Sequence, residues 1–246
     1  MKETQALIQR VRRANNTHQR LDLSVDPSLL TLKAGQALLY RPDGSTLEPY
    51  LRDLWFPVDI DKDTLTIERP ISEHYEPGSV IYLTGLIGKP FRFRRTLRNV
   101  LLVAHDTAPT PLLMPVNPLI KNQVSVTLLL LGSASAYETD HLPPEIEIIH
   151  GDGDFQWPAR VTTVGWADQV FITVAPEVEI ESFRRIWQLF TELRHDIPPS
   201  YLFGVFRPPF PCGVGACDAC LVGTGKGAVR ACIEGPALDL TELKLQ

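Results

Sequence analysis

The sequence is sparing with cysteine, and the four it has lie between positions 212 and 232. Cysteines spread along a chain would suggest structural disulfides; four confined to one glycine-rich stretch suggest a metal site. Long apolar runs are missing as well. The most apolar stretch, VSVTLLLLG from Val124 to Gly132, is far shorter than the ~20 residues of a bilayer-spanning helix, and a buried strand accounts for it. Residues 1–20 are polar and basic with no apolar core, so no secretory signal is expected. Positive charge is not in excess: 24 Lys and Arg against 29 Asp and Glu leave a net charge of −5, which gives no reason to expect nucleic acid or an anionic membrane as partner. With 21 prolines to 16 glycines, long uninterrupted helices should be few. These absences point to a soluble, cytoplasmic protein with no membrane insertion. Its 246 residues suffice for one large domain or two modest ones.

Several short motifs are also incomplete. GTGKG (Gly223–Gly227) lacks the spacing and the Ser/Thr of a P-loop and reads as a turn between the third and fourth cysteines. GSASA (Gly132–Ala136) is not a G-x-S-x-G nucleophile turn. HGDGD (His150–Asp154) lacks the rest of a calcium loop and reads as a strand-ending turn. His105 and Asp106, adjacent at a strand end, point to opposite faces and suit a loop start better than a catalytic pair.

What is present is a succession of strands. Arg20–Val25, Gln36–Arg41, Leu51–Ile60, Asp63–Glu68 and Ser79–Leu83 are short candidates, separated by turn signals such as Pro42-Asp43-Gly44 and Glu76-Pro77-Gly78. They suggest a small antiparallel barrel or sandwich. Ahead of them, Leu7, Ile8 and Val11 fit one face of a short amphipathic helix. After the basic segment Phe91–Arg98 the pattern changes. Asn99–Ala104, Val124–Leu131, Glu145–His150, Gln169–Val174 and Tyr201–Phe206 are apolar runs of strand length, as expected of a parallel five-stranded sheet buried on both faces. Between the last two, Ile180, Phe183, Ile186, Trp187 and Phe190 recur at helical spacing. Three units are expected: a barrel over 1–95, an α/β domain over 96–206, and a cysteine-bearing region over 207–246.

The cysteines of PCGVGACDACLVGTGKGAVRACIEGPA have the spacing C-x4-C-x2-C-x11-C. C-x4-C-x2-C with a more distant fourth cysteine is the spacing of plant-type 2Fe-2S sites. Two bridged irons need four thiolates, two each. A tight loop can supply Cys212, Cys217 and Cys220, and Cys232 must come from a separate element, here the strand expected near Val229–Ile233. Gly213 and Gly215 permit positive φ and close backbone approach, so that N–H groups can face sulfur and stabilise the charge added on reduction. A structural zinc site usually presents two C-x2–4-C pairs. Two disulfides suit neither compartment nor size, and a thioredoxin-like C-x2-C leaves two cysteines unexplained. Phe206, Pro208, Pro209 and Phe210, beside the loop, are candidates for docking a redox partner or for core.

PCGVGACDAC followed by RACIEGPAL resembles the cluster motif of the electron-transfer subunits of class B dihydroorotate dehydrogenases, which are ferredoxin reductase-like flavoproteins. The resemblance implies an FAD-binding-type barrel, a nucleotide-binding-type sheet domain and a 2Fe-2S tail. It also implies electron relay as part of an oxidoreductase complex with a dihydroorotate dehydrogenase-like flavoprotein partner, and FAD held by an arginine on an R-x-x-S/T strand. LRDLWFPVDI resembles that strand, with Arg52 in the arginine position and Trp55 where the hydroxyl residue is expected. PGSVIYLTGLIGKPF resembles the segment with a G-P-L-G-type turn, Gly85 and Gly88 matching its glycines. The glycine-rich nucleotide turn of the family is replaced by AHDTAPTPLLMPVNPL, which keeps Ala108 and Pro109 but no glycine. Both nucleotide motifs are thus degenerate, and NAD(P) binding is not expected. The alternative is a complete FAD-containing NAD(P)H reductase with an attached cluster; a zinc-stabilised scaffold is a third class.

Overall fold

A computed structural model describes residues 2–42 and 52–245; Asp43 and Gly44 of the expected turn, and Leu51, lie outside the described residues. The first seven strands are β1 (Lys2–Arg13), β2 (His18–Ser24), β3 (Ala37–Pro42), β4 (Asp53–Trp55), β5 (Pro57–Ile60), β6 (Thr64–Pro70) and β7 (Val80–Ile87). They form one sheet in the order β4-β3-β7-β1-β2-β6-β5, with every pairing antiparallel. The two edge strands are consecutive in sequence, separated only by Phe56, so the sheet curls into a nearly closed barrel. Alternation places Leu21, Leu23, Leu65, Ile67 and Leu83 inside with Leu38 and Trp55.

The helix expected around Leu7, Ile8 and Val11 is instead the long strand β1. Ala6 and Ile8 are buried and Leu7 is 40% exposed, which is a period of two. A register shift between Ile8 and Arg10 inserts one residue and turns Val11 toward the barrel core. That bulge produces the three-residue spacing that imitates a helix.

The second sheet holds β8 (Asn99–His105), β9 (Ser125–Leu131), β10 (Glu147–Gly151), β11 (Gln169–Val174) and β12 (Leu202–Val205), in the order β10-β9-β8-β11-β12. These five pair in parallel, as expected, but β10 at the edge is only partly covered and not buried on both faces. Each fully buried Leu, Ile or Val contributes roughly 1.5–3 kcal/mol. Helices α1 (Val116–Lys121), α2 (Arg160–Trp166) and α3 (Glu179–Leu193) are the α-helices among the described residues, and only α3 exceeds two turns. It seats Phe183, Ile186 and Phe190 on the sheet, whereas Ile180, expected on the same face, is 44% exposed.

The tail adds a hairpin, β13 (Leu221–Thr224) with β14 (Gly227–Arg230), and a last strand, β15 (Ala237–Asp239). β15 pairs antiparallel with β12 and becomes the sixth strand of the parallel sheet. Barrel and sheet are joined through a buried polar contact: Tyr137 Oη donates to Glu68 Oε1 at 2.5 Å, and Arg20 Nε lies 2.9 Å from Glu68 Oε2. Burial alone would raise the Glu68 pKa, but hydrogen bonds from His141, Tyr137 and Arg20 hold it below the usual carboxylate value. No helix among the described residues is long and apolar enough to cross a membrane.

Candidate metal centre

Residues 211–220 leave the sheet beyond β12 and turn back on themselves, which requires backbone that most residues avoid. Gly213 and Gly215 have φ of 62° and 72°, and Asp218 has φ of 55°. At Gly215 space is limiting too: a Cβ would lie 2.9 Å from Ile233 Cγ1 and 3.1 Å from Arg230 Cδ. The Arg230 guanidinium crosses to Asp218, with Nε 2.6 Å from Oδ1, and ties the loop to the hairpin. Ala231 N–H donates to the carbonyl of Cys220 at 3.0 Å, so the segments carrying the third and fourth cysteines are directly bonded.

Cys232 was expected on a strand. β14 ends at Arg230, and Cys232 sits in the turn that follows, where Ile233 and Glu234 N–H groups both donate to Arg230 carbonyl. Gly88 N–H, from the turn that closes β7, donates to the Cys232 carbonyl at 3.0 Å, and Lys89 N–H donates to Gly235 carbonyl at 2.5 Å. A Cβ on Gly88 would fall 2.4 Å from the Gly235 oxygen, which is why this barrel turn needs glycine there. The fourth cysteine is therefore anchored from the barrel as well as from the hairpin.

The sulfurs fall into two pairs. The Cys217 thiol acts on the ionisation of Cys212, and that of Cys220 on Cys232. None is in a disulfide. Among the described residues no three His, Cys, Asp or Glu side chains converge as a single-ion site. The outer pair is solvent-facing, with Cys217 exposed and Cys212 half-buried. The inner pair, Cys220 and Cys232, is 2% and 1% exposed. Burial opposes ionisation of Cys212. The N–H groups of Val214, Ala216 and Cys217, with the Cys217 thiol, nevertheless bring it down to about 6; Ala216 N lies 3.4 Å from Cys212 Sγ. Burial, followed by the neighbouring Cys220, pushes Cys232 up to about 12. A buried thiol that resists ionisation in the absence of a cation, as Cys232 does, suits thiolate ligation of a metal, whose charge relieves that penalty. The donor set fits an iron–sulfur cluster.

Residues 210–244 match the family described as the iron-sulfur cluster binding domain of dihydroorotate dehydrogenase B. The tail is thus similar to an iron–sulfur-binding domain of that type. Over 194 residues the chain is 27% identical to the "Probable dihydroorotate dehydrogenase B (NAD(+)), electron transfer subunit" of Methanopyrus kandleri, a match covering 74% of this chain and 70% of the relative. Its fold is that of the ferredoxin reductases. A chain of the NADH-dependent reduced ferredoxin-NADP oxidoreductase matches with a TM-score of 0.72 at 15% identity, over 97% of this chain and 89% of that one. The ferredoxin reductase of carbazole 1,9a-dioxygenase matches with a TM-score of 0.61 at 15% identity, over 82% and 68%. Over most of its length the chain is thus similar to a dihydroorotate dehydrogenase B electron-transfer subunit.

Other expected site residues lie elsewhere. Arg52, expected on a flavin diphosphate, is engaged within the barrel: Nη2 is 3.3 Å from Glu3 Oε2 and Nη1 is 3.4 Å from Thr84 Oγ1. Trp55, at the hydroxyl position, is fully buried and stacked on Tyr40 with ring centroids 3.8 Å apart. Arg52 Nε is left buried without a hydrogen-bond partner. At the carboxyl edge of the parallel sheet, Asp106 Oδ1 accepts the Ser133 N–H at 2.8 Å. His105 is buried, stacked on Phe155 with centroids 4.2 Å apart. Both serve the loop start, but their side chains do not diverge as expected: His105 Nε2 lies 3.4 Å from Asp106 Oδ2, because Asp106 has a positive φ of 53°. Of the docking candidates, Phe206 and Phe210 are core at 1% and 3% exposure. The exposed apolar side chains near the cysteines are Val214, Leu221 and Ile233, which no periodicity in the sequence distinguishes.

Proposed function

We propose that Cys212, Cys217, Cys220 and Cys232 hold a 2Fe-2S cluster, and that through it the chain relays single electrons between a flavin-bearing partner subunit and an acceptor. The observation that carries this reading is the division of the four sulfurs into an outer and an inner pair on one anchored loop. Cys212 and Cys217 would hold one iron and Cys220 and Cys232 the other, consistent with the C-x4-C-x2-C spacing. The cluster, when bound, supplies one-electron transfer; no substrate bond is made or broken. The chain's residues do the rest. Backbone N–H groups of Val214, Ala216 and Cys217 stabilise negative charge at the outer sulfur. The bonds from Gly88 to Cys232 and from Ala231 to Cys220 keep the inner ligands in place.

Flavin enters this reading as the partner's, because Arg52 is already paired with Glu3 and a diphosphate would have to displace it. The partner proposed is a dihydroorotate dehydrogenase-like flavoprotein, by analogy with the Methanopyrus relative. The test is anaerobic purification followed by iron and sulfide analysis, visible absorption, and electron paramagnetic resonance before and after dithionite. Two irons and two sulfides per chain, with a signal that appears only on reduction, are expected. Stoichiometric zinc in their place sinks the assignment. Denaturation should release no flavin fluorescence; stoichiometric release would instead favour a flavin-containing reductase.

A further inference from the structure

Among the described residues, the basic segment ahead of β8 is tied to the cysteine region only through Lys89, which pairs with Glu234. From Lys89 to His105 the chain carries five Arg and Lys and no Asp or Glu, in a molecule whose net charge is −5. The Arg94 guanidinium is spent on carbonyls, donating to Asp168 O at 3.1 Å and Pro199 O at 2.7 Å. The Asp168 carboxylate accepts the backbone N–H groups of Arg98 and Asn99, both at 2.9 Å. Among the described residues Arg95, which is exposed, has no ion-pair partner, and neither has Lys33 on the facing barrel loop.

Such a run of charge is ordinarily just a solvated face. Here it rims a cavity of about 520 Å³ whose floor is hydrocarbon: Phe93, Leu97, Met114 and Leu119. The cavity lies where two cores meet. Met114 packs against the barrel core, whereas Leu119 belongs to the sheet core with Phe93 and Leu97 against it. Neither core fills the seam. An apolar recess open to water is unfavourable until something covers it, and its volume is that of an ordinary small-molecule site. It is at the amino edge of the parallel sheet, beside the start of β8, away from the cysteine loop, which follows the carboxyl end of β12.

We propose that this cavity binds a single-chain amphiphile with an anionic head. The hydrocarbon lies against Phe93, Leu97, Met114 and Leu119, and a carboxylate, sulfonate or phosphate sits at Lys33 and Arg95. The two cations flank an apolar floor with no acidic side chain among the lining residues, so a neutral or cationic amphiphile gains the floor without the rim.

Isothermal titration calorimetry of the full, cluster-loaded chain tests this with decanoate, kept below its micelle concentration, as the probe. One saturable site is expected, with decanol and decylamine binding at least about tenfold more weakly. Lys33→Glu with Arg95→Glu should weaken decanoate by at least about tenfold with an unchanged circular dichroism spectrum and melting temperature, since both side chains are exposed. Leu97→Trp, which fills the recess without altering charge, should abolish binding, and it decides the matter if the charge reversal disturbs folding. Absence of a saturable site, equal affinity for decanol, or decanoate binding that survives either variant overturns the proposal.

Discussion

Cys220 and Cys232 are buried while Cys217 faces solvent, and that difference separates two effects a cysteine substitution can have. Cys217→Ala should eliminate the visible absorption of the cluster and leave the metal-free protein as stable as its parent, within about 0.5 kcal/mol. Cys232→Ala should eliminate the same absorption and, by leaving a small void, also lower the stability of the metal-free protein by about 1 kcal/mol. Urea unfolding of the two apo-proteins distinguishes them. A second residue-scale prediction concerns Glu179. Burial raises its pKa from 4.5 to about 7, against the Arg207 N–H that donates to Oε1 at 2.5 Å and the Arg207 charge. Between those values the folded chain keeps a proton that the unfolded chain has released. Stability from this group is therefore full below 4.5 and is lost as pH rises through 7. Glu179→Gln should remove a fall in stability on the order of 1 kcal/mol between pH 5 and 8, read as a smaller change in urea midpoint across that range.

Elements rather than residues determine how the barrel holds the sheet domain. Glu68 on β6 is buried and receives Arg20 from β2 and Tyr137 from beyond β9. Arg20→Met leaves a buried carboxylate without its cation and should cost about 3 kcal/mol. Tyr137→Phe removes one hydrogen bond and should cost about 1 kcal/mol. Denaturant unfolding measures both, and a smaller loss for Arg20→Met than for Tyr137→Phe would contradict this account. The elements themselves were unevenly legible. Four of the five parallel strands could be read because burial on both faces leaves apolar runs such as Leu128–Leu131, whereas the edge strand β10 keeps Glu147 and His150 exposed. β1 could not, because a bulge between Ile8 and Arg10 breaks its alternation. The cysteine spacing pointed to an iron–sulfur site, since ligand geometry is largely local. The anchoring of Cys232 by Gly88 was invisible, because it joins residues remote in sequence through backbone groups that every residue has.

At the scale of the whole molecule, the cysteine loop is an excursion between two strands, β12 and β15, that are hydrogen-bonded neighbours. Hydrogen–deuterium exchange should reflect this. Removing iron should speed exchange in the loop from Gly213 to Cys220 and in the β13–β14 hairpin, and leave β15 and β12 as protected as before. Loss of protection in β15 on iron removal would mean that metal, and not the sheet, holds the tail.

Because the sheet already brings the two ends of the excursion together, the chain has met the entropy of closing that loop before any iron arrives. Assembly can therefore proceed in two stages, a folded body first and its inorganic cargo afterwards. An oxidised or stripped centre leaves behind a scaffold that can be refilled, so damage to the redox group does not commit the polypeptide to disposal.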